Sequence, residues 1–236
     1  MENSFEKQNI SFKKHTGIET KVNIISETPI NRGSFGEIFD TVVEVGGHRK
    51  RFIIKKYRTQ IFEKIAEKDT KHAFKNYSLA KEAGLKVFPT FRISEDQKSI
   101  LMTTGFSDNQ ICVSTNNKIN VVELGRPLIE EFEDLDKFIS TIFAEGLKAM
   151  KKGISLHQDM FFFLLSKNEP TKVDFILGDL DNLKQAESIK VTGWQNMINI
   201  RKVLIFFCDK NIDPSFHEIF LDKVEYYYNQ AVKKYE

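Results

Sequence analysis

The sequence predicts an α+β fold: a small antiparallel-sheet lobe with one main helix, followed by a mostly helical lobe. Three observations carry this expectation. Strand-like runs crowd the first hundred residues, apolar residues at helical spacing dominate the last hundred, and a short hairpin pattern sits between two helical stretches. With 236 residues the chain can bury one large core, or two lobes sharing a cleft.

Residues 1–19 are polar and lysine-rich and are expected to be a loose leader, open to disorder. The domain proper then covers 20–236, with the sheet lobe at about 20–104 and the helical lobe at about 105–236. Strand-like texture runs over 22–26, 36–45 and 51–57, and Gly46-Gly47 between the last two marks a hairpin turn. Ile61, Ile65, Ala66, Phe74, Tyr77 and Ala80 keep helical spacing up to Gly84, a C-terminal stop. Residues 88–94 and 99–104 read as two strands around the turn-forming Glu95-Asp96-Gln97. A helix follows over 128–151, then two apolar runs at 161–165 and 173–177 separated by Asn168-Glu169-Pro170, then helices over 194–208 and 214–234.

Composition excludes several classes. Apolar residues make up 41% and charged residues 29%, which describes a globular chain. The net charge of +2 gives no global field that would select nucleic acid. The longest apolar runs, such as 203–208, are far short of the ~20 residues of a membrane span. The first residues carry no basic patch leading into an apolar stretch, so no secretory signal is expected. Cys112 and Cys208 sit far apart in apolar contexts, as small buried hydrophobes would, and the expected location is cytoplasmic.

Four segments carry chemistry. In Asn31-Arg32-Gly33-Ser34-Phe35-Gly36, between two strand-like runs, glycines let a hairpin backbone turn its N–H groups on phosphate oxygens. A Gly-containing turn with no ligand explains this segment equally well. Phe52-Ile53-Ile54-Lys55-Lys56 is a strand ending in two lysines that must point to opposite sides, one into a cleft and one into solvent. Leu156-His157-Gln158-Asp159 places a carboxylate in a loop beside an apolar run, which suits a base that orients a hydroxyl. Gly178-Asp179-Leu180-Asp181 places two carboxylates at a strand end, hard oxygen ligands of the kind Mg²⁺ takes. An exposed acidic turn is the bland alternative for this last segment.

A glycine loop, a strand lysine, a His-x-Asp loop and a strand-end Asp, in that order, resemble the protein-kinase-like superfamily. The likeness is nearest to its small bacterial members, aminoglycoside-phosphotransferase-type enzymes and lipopolysaccharide core sugar kinases. Residues 81–89 resemble the stretch after their first-lobe helix, and 157–165 with 179–181 resemble the sugar kinases' catalytic stretch. The resemblance covers roughly 20–184. It implies a bilobal fold that binds ATP and Mg²⁺. It also implies that Gly33, Ser34 and Gly36 cover the triphosphate and that Lys55 binds the α- and β-phosphates. Met102 and Thr103 would then sit at the adenine hinge, Asp159 would be the catalytic base, and Asp179 would chelate the metal with Asp181 as a second carboxylate.

The chain departs from the family pattern in four places. Asn31 stands at the first loop glycine, and Leu164 stands five positions after Asp159, where the family has a metal-binding asparagine. Of the acidic residues in the first-lobe helix, Glu67 is the choice to pair with Lys55. After Asp181 no long activation segment and no Ala-Pro-Glu follow, which fits an unswitched kinase of small molecules or an atypical protein kinase. The expected activity is transfer of the γ-phosphate of ATP to a hydroxyl of a small molecule, sugar or protein. The partners exclude nucleic acid, and the oligomeric state is open. The alternatives are a pseudokinase acting as a binding module, and a transferase of AMP.

Overall fold

Period-two alternation of apolar residues builds the first part of the chain. In the computed structural model, which describes residues 9–14, 19–32, 36–57, 63–88, 91–103, 109–114, 125–180, 183–185 and 188–234, this part holds β1 (Asn9–Lys14), β2 (Glu19–Arg32), β3 (Gly36–Val45), β4 (His48–Tyr57), β5 (Phe91–Ser94) and β6 (Ser99–Thr103). All pairings are antiparallel, in the order β1-β2-β3-β4-β6-β5. Alternate residues of these strands converge on one core of Val22, Ile24, Val43, Phe52, Ile54 and Leu101. Gly46 and Gly47, with φ of 59° and 78°, form the two-residue turn from β3 to β4 that the glycine pair predicts. Register shifts in β2 fall between Ile24 and Ser26 and between Pro29 and Asn31. The second starts at Pro29, which has no N–H to give to a ladder.

Within residues 1–19, read from the sequence as a leader, Asn9–Lys14 form β1. Ile10 and Phe12 alternate with polar residues, and the strand pairs with β2 on one side and with β5 on the other. It thereby closes the sheet into a barrel and removes two exposed edges at once. Next comes α1 (Glu63–Glu82), which buries Ala73, Tyr77 and Ala80 at helical spacing. It ends as predicted at Gly84, whose φ is 73°, with Leu85 N–H donating back to the Ala80 carbonyl at 3.0 Å. The Tyr77 hydroxyl donates to the Phe88 carbonyl at 2.7 Å, and burial pushes this phenol up to about 12.

A second compact unit, Ala80–Val87 with Phe106–Glu236, is distinct from the first, Met1–Leu79 with Phe88–Gly105. It contains β7 (Gln110–Ser114), α2 (Leu135–Lys151), β8 (Ile154–Ser155), β9 (Phe161–Ser166), β10 (Val173–Leu177), β11 (Lys184–Gln185), α3 (Ile189–Asn211) and α4 (His217–Val232). The helix expected from residue 128 starts seven residues later. Asp134 caps it by accepting from the Lys137 N–H at 2.9 Å, and Ile129 upstream is committed to backbone bonds with Asn211 and Asp213, each 2.9 Å. Likewise α3 begins before 194, because Ser188 is its cap and accepts from the Val191 N–H.

The core of this unit is aromatic. Phe163 from β9 and Phe207 from α3 pack as a tilted pair with centroids 4.2 Å apart, and Phe138 and Phe220 close on Phe207 at 6.1 and 6.3 Å. At Gly146 a Cβ would lie 2.5 Å from both Ile200 Cδ1 and Met197 Cε, so the tips of these two α3 side chains occupy the space that the glycine leaves on α2. Cys112 and Cys208 are free thiols, and burial pushes both up to about 12. Among the described residues no helix is long and apolar enough to cross a membrane.

Phe207→Ala should cost about 3–5 kcal/mol, the usual loss for a buried phenylalanine in a packed core. Chemical denaturation followed by far-UV circular dichroism checks this, and a loss under 1 kcal/mol would mean that the cluster does not hold the unit together.

Candidate functional site

Two of the predicted carboxylates are brought to one end of one hairpin. In the antiparallel pairing of β9 with β10, Phe161 lies opposite Leu177. Asp159 precedes Phe161 by two residues and Asp179 follows Leu177 by two, so both leave the ladder at the same end. The Gly178 N–H donates to the Met160 carbonyl at 2.9 Å and carries the backbone pairing one step beyond the strands. Phe161, Phe163, Phe175 and Leu177 are all buried beneath it, which agrees with a core role for the phenylalanine run.

Asp159 sits in a single 3-10 turn, Gln158–Met160, between β8 and β9. Its carboxylate is hydrogen-bonded by Nδ1 of His157. One backbone bond and one side-chain contact reinforce the turn: the Met160 N–H donates to the His157 carbonyl at 3.2 Å, and the His157 N–H reaches the Met160 thioether sulfur at 3.4 Å.

The turn is held from below by two side chains of α3. Asn196, fully buried, accepts the Leu156 N–H at 2.8 Å and donates to the Ile154 carbonyl at 2.9 Å. Asn199 donates to the Leu156 carbonyl at 2.7 Å and accepts from the Gln195 amide at 3.1 Å. Together they satisfy the backbone of the residues just before His157, groups that would otherwise be buried without partners. Neither asparagine is singled out by the sequence reading. The signal was there: two amides three apart on a helix face otherwise lined by Met197, Ile200, Val203 and Leu204.

Asp179 has φ of 48°, a left-handed conformation that aspartate tolerates better than most residues. Buried Leu180 and Leu183 anchor the chain after it, and the Leu183 N–H donates to the Leu180 carbonyl at 3.1 Å. A non-glycine residue fixed in this region costs on the order of 1–3 kcal/mol, and such residues cluster at functional sites. Asp181 lies outside the described residues, and among those described no group of three potential ligands gathers to hold a metal.

Leu164 is a core residue. It lies inside β9, opposite Asp174 on one side and Cys112 on the other, and is 4% exposed. Strand β9 starts two residues after Asp159, so the fifth position after it falls within a packed sheet and offers no oxygen to a metal. Strand β7 (Gln110–Ser114), which flanks β9 here, is absent from the sequence reading.

In the first unit, Lys55 and Lys56 face opposite sides of β4, as alternation requires. The Lys56 ammonium is paired with Glu27 and lies 4.7 Å from the Phe39 ring centroid, so it is not simply solvated. The Lys55 ammonium lies 5.1 Å from the Tyr57 centroid. Glu67, the expected partner of Lys55, has a side chain outside the described residues; Ala73 and Asn76 on the same helix are buried. Gly36 has a steric reason to be glycine: a Cβ there would sit 2.4 Å from the Lys56 carbonyl oxygen. Gly33 and Ser34 lie outside the described residues. Met102 is buried within β6 between Ile53 and Phe91, and Thr103 ends the strand opposite Phe52.

No protein-family model matches the sequence, and no curated protein matches it either. Among solved structures the chain is similar to the ROP18 kinase domain in complex with AMP-PNP and sucrose. That alignment has a TM-score of 0.50 at 14% identity and covers 97% of this chain and 82% of that one. A second kinase-domain crystal structure aligns with a TM-score of 0.48 at 10% identity, over 78% of this chain and 63% of its own. The chain has a protein-kinase-like α+β fold, with a small antiparallel sheet and one main helix in its first unit and a mostly helical second unit.

Asn196→Ala should destabilise the protein by about 1–3 kcal/mol, because it strands the Leu156 N–H and the Ile154 carbonyl away from water. Equal melting temperatures for wild type and Asn196→Ala would show that the amide does not hold the turn.

Proposed function

We propose that the chain is an ATP- and Mg²⁺-dependent phosphotransferase that moves the γ-phosphate to a hydroxyl of a small molecule, a sugar or a protein serine or threonine. The observation that carries this reading is the hairpin register that sets Asp159 and Asp179 at one end of one strand pair. The 3-10 turn bearing Asp159 serves the acceptor hydroxyl as base. Asp179, with Asp181, ligates Mg²⁺, whose charge neutralises the phosphates and steadies the transferred group. Lys55 binds the α- and β-phosphates, Gly33, Ser34 and Gly36 cover the triphosphate, and Met102 and Thr103 at the end of β6 meet the adenine. The nucleotide analogue held by the ROP18 kinase domain, a neighbour in fold, supports ATP as the ligand class.

The subtype proposed is a small, unswitched kinase of the bacterial kind. Helix α3 starts at Ile189, ten residues after Asp179 (189 − 179), which leaves no room for a long activation segment. Two free thiols, one buried and one half-buried, suit a reducing compartment, so a cytoplasmic location is part of the proposal. One observation favours a second reading. Leu164 removes a family metal ligand and replaces it with core, as in a pseudokinase that binds nucleotide without turning it over.

Asp159→Ala decides between them. On the phosphotransferase reading it lowers kcat for ATP turnover by about 10²–10⁴-fold, the usual contribution of a positioned acid–base group, with nucleotide affinity nearly unchanged. Turnover equal to wild type would end the assignment of Asp159, and absence of turnover in both proteins would favour the pseudokinase.

A further inference from the structure

We infer that the outward face of α3 docks on an anionic lipid bilayer, with Trp194 entering the interface and Lys190 and Lys202 meeting lipid phosphates. This surface shares no residue with the phosphotransferase site above.

Helix α3 is apolar on two faces. One face is buried, with Met197, Ile200, Val203, Leu204 and Phe207 in the core and Asn196 and Asn199 holding the turn before His157. On the other, Val191, Trp194, Ile198 and Ile205 recur at steps of three, four and seven, which lines them up as one stripe. Val191 is 66% exposed and Trp194 54%, while Ile198 and Ile205 are half-buried. A helix on the surface of a domain ordinarily turns polar residues to water, so packing within the chain does not account for this stripe.

Charge selects what covers it. Helix α3 carries four cations, Lys190, Arg201, Lys202 and Lys210, against a single acid, Asp209. Arg201 is committed to α4: its Nε donates to Glu225 at 2.6 Å and its guanidinium lies 5.5 Å from the Tyr228 ring centroid. Lys190 stands one turn before Trp194, and Lys202 one turn after Ile198 on the opposite flank of the stripe. Both lysines are exposed, and neither has an ion pair among the described residues. An indole between two such lysines suits the boundary of a bilayer. The ring is at home at headgroup level, and each lysine lays its apolar stem along the stripe with its ammonium among anionic phosphates.

Other occupants fit less well. Pairing α3 with α3 of a second copy would bring two lysine-flanked stripes together, and like charges set against each other oppose association. A partner helix or peptide takes a groove, whereas the outward side of one helix is convex. The cavity of this unit, beside α2 and the β9–β10 hairpin, is lined by no residue of α3. A bilayer surface needs no groove.

Trp194 is the chain's only tryptophan, so its fluorescence reports contact without a label. The full chain is titrated with vesicles of phosphatidylcholine alone and of phosphatidylcholine with phosphatidylglycerol, followed by emission and by co-sedimentation. The expected result is a blue shift and co-sedimentation with the phosphatidylglycerol vesicles only, both reversed by high salt. Trp194→Ser should lower the partition coefficient in co-sedimentation at least about tenfold and Lys202→Gln about fivefold. Both variants should melt with the wild type, because both side chains are exposed. No blue shift with phosphatidylglycerol vesicles, or Trp194→Ser protein that binds them as wild type does, would overturn the inference. So would an equal shift with phosphatidylcholine alone, which would leave the lysines without a role. A dimer in light scattering that Trp194→Ser separates, or a shift with soluble polyglutamate and none with vesicles, would give the face to a second copy or to an acidic protein instead.

Discussion

The pairing of Phe161 with Leu177 is the constraint on which the rest of the site depends. Side chains alternate along a strand, so a slip of one residue would exchange the faces of one strand of the pair against its tightly buried neighbours and move the two acidic loops out of alignment. Burying each of these side chains is worth about 1.5–3 kcal/mol, so the register is set far more firmly by the core than by the few backbone bonds. The same pairing brings together two carboxylates that are twenty residues apart in sequence (179 − 159). The apolar core of the second unit and the polar end of its hairpin are thus one structural decision.

A second layer of constraint comes from amides and carboxylates placed inside helices. Asn196 and Asn199 reach up from α3 to the backbone of residues 154 and 156. On α2, buried Glu145 accepts the Lys86 N–H at 2.8 Å and also meets the Lys148 ammonium. The Lys86 carbonyl in turn accepts the Leu177 N–H at 2.8 Å, at the strand end that leads into Asp179. Each of these polar groups would be costly if left unpaired. Because each is satisfied by a backbone group of an irregular segment, the cost becomes a device for fixing loops that have no ladder of their own. Asp179, held with positive φ between Gly178 and buried Leu180, lies at the end of this chain of contacts.

Much of the architecture was legible because its signals are periodic. The two-glycine turn, the stop at Gly84 and the strand pair around residues 161–177 all follow from spacing and turn chemistry. What escaped was short or non-local. Strands β8 and β11 have two residues each, and β1 lies in a lysine-rich stretch whose apolar alternation spans only Ile10 and Phe12. The start of α2 was misplaced because Leu128 and Phe132 continue its apolar spacing, whereas the cap at Asp134 and the backbone bonds of Ile129 decide the boundary. At the site, residue type and order pointed to Asp159 and Asp179. Nothing in a linear pattern could assign Asn196 and Asn199 to a turn forty residues away, since that link exists only after α3 packs beneath it.

The account makes nucleotide and metal act together, because Asp179 at the end of the hairpin has no phosphate charge to share until ATP brings it. The most direct test is a thermal melt of the full chain titrated with ATP, with and without Mg²⁺. Preferential binding to the native state raises the melting temperature by mass action. The account predicts stabilisation by ATP that grows when Mg²⁺ is present. No stabilisation, or the same stabilisation with and without the metal, would contradict it.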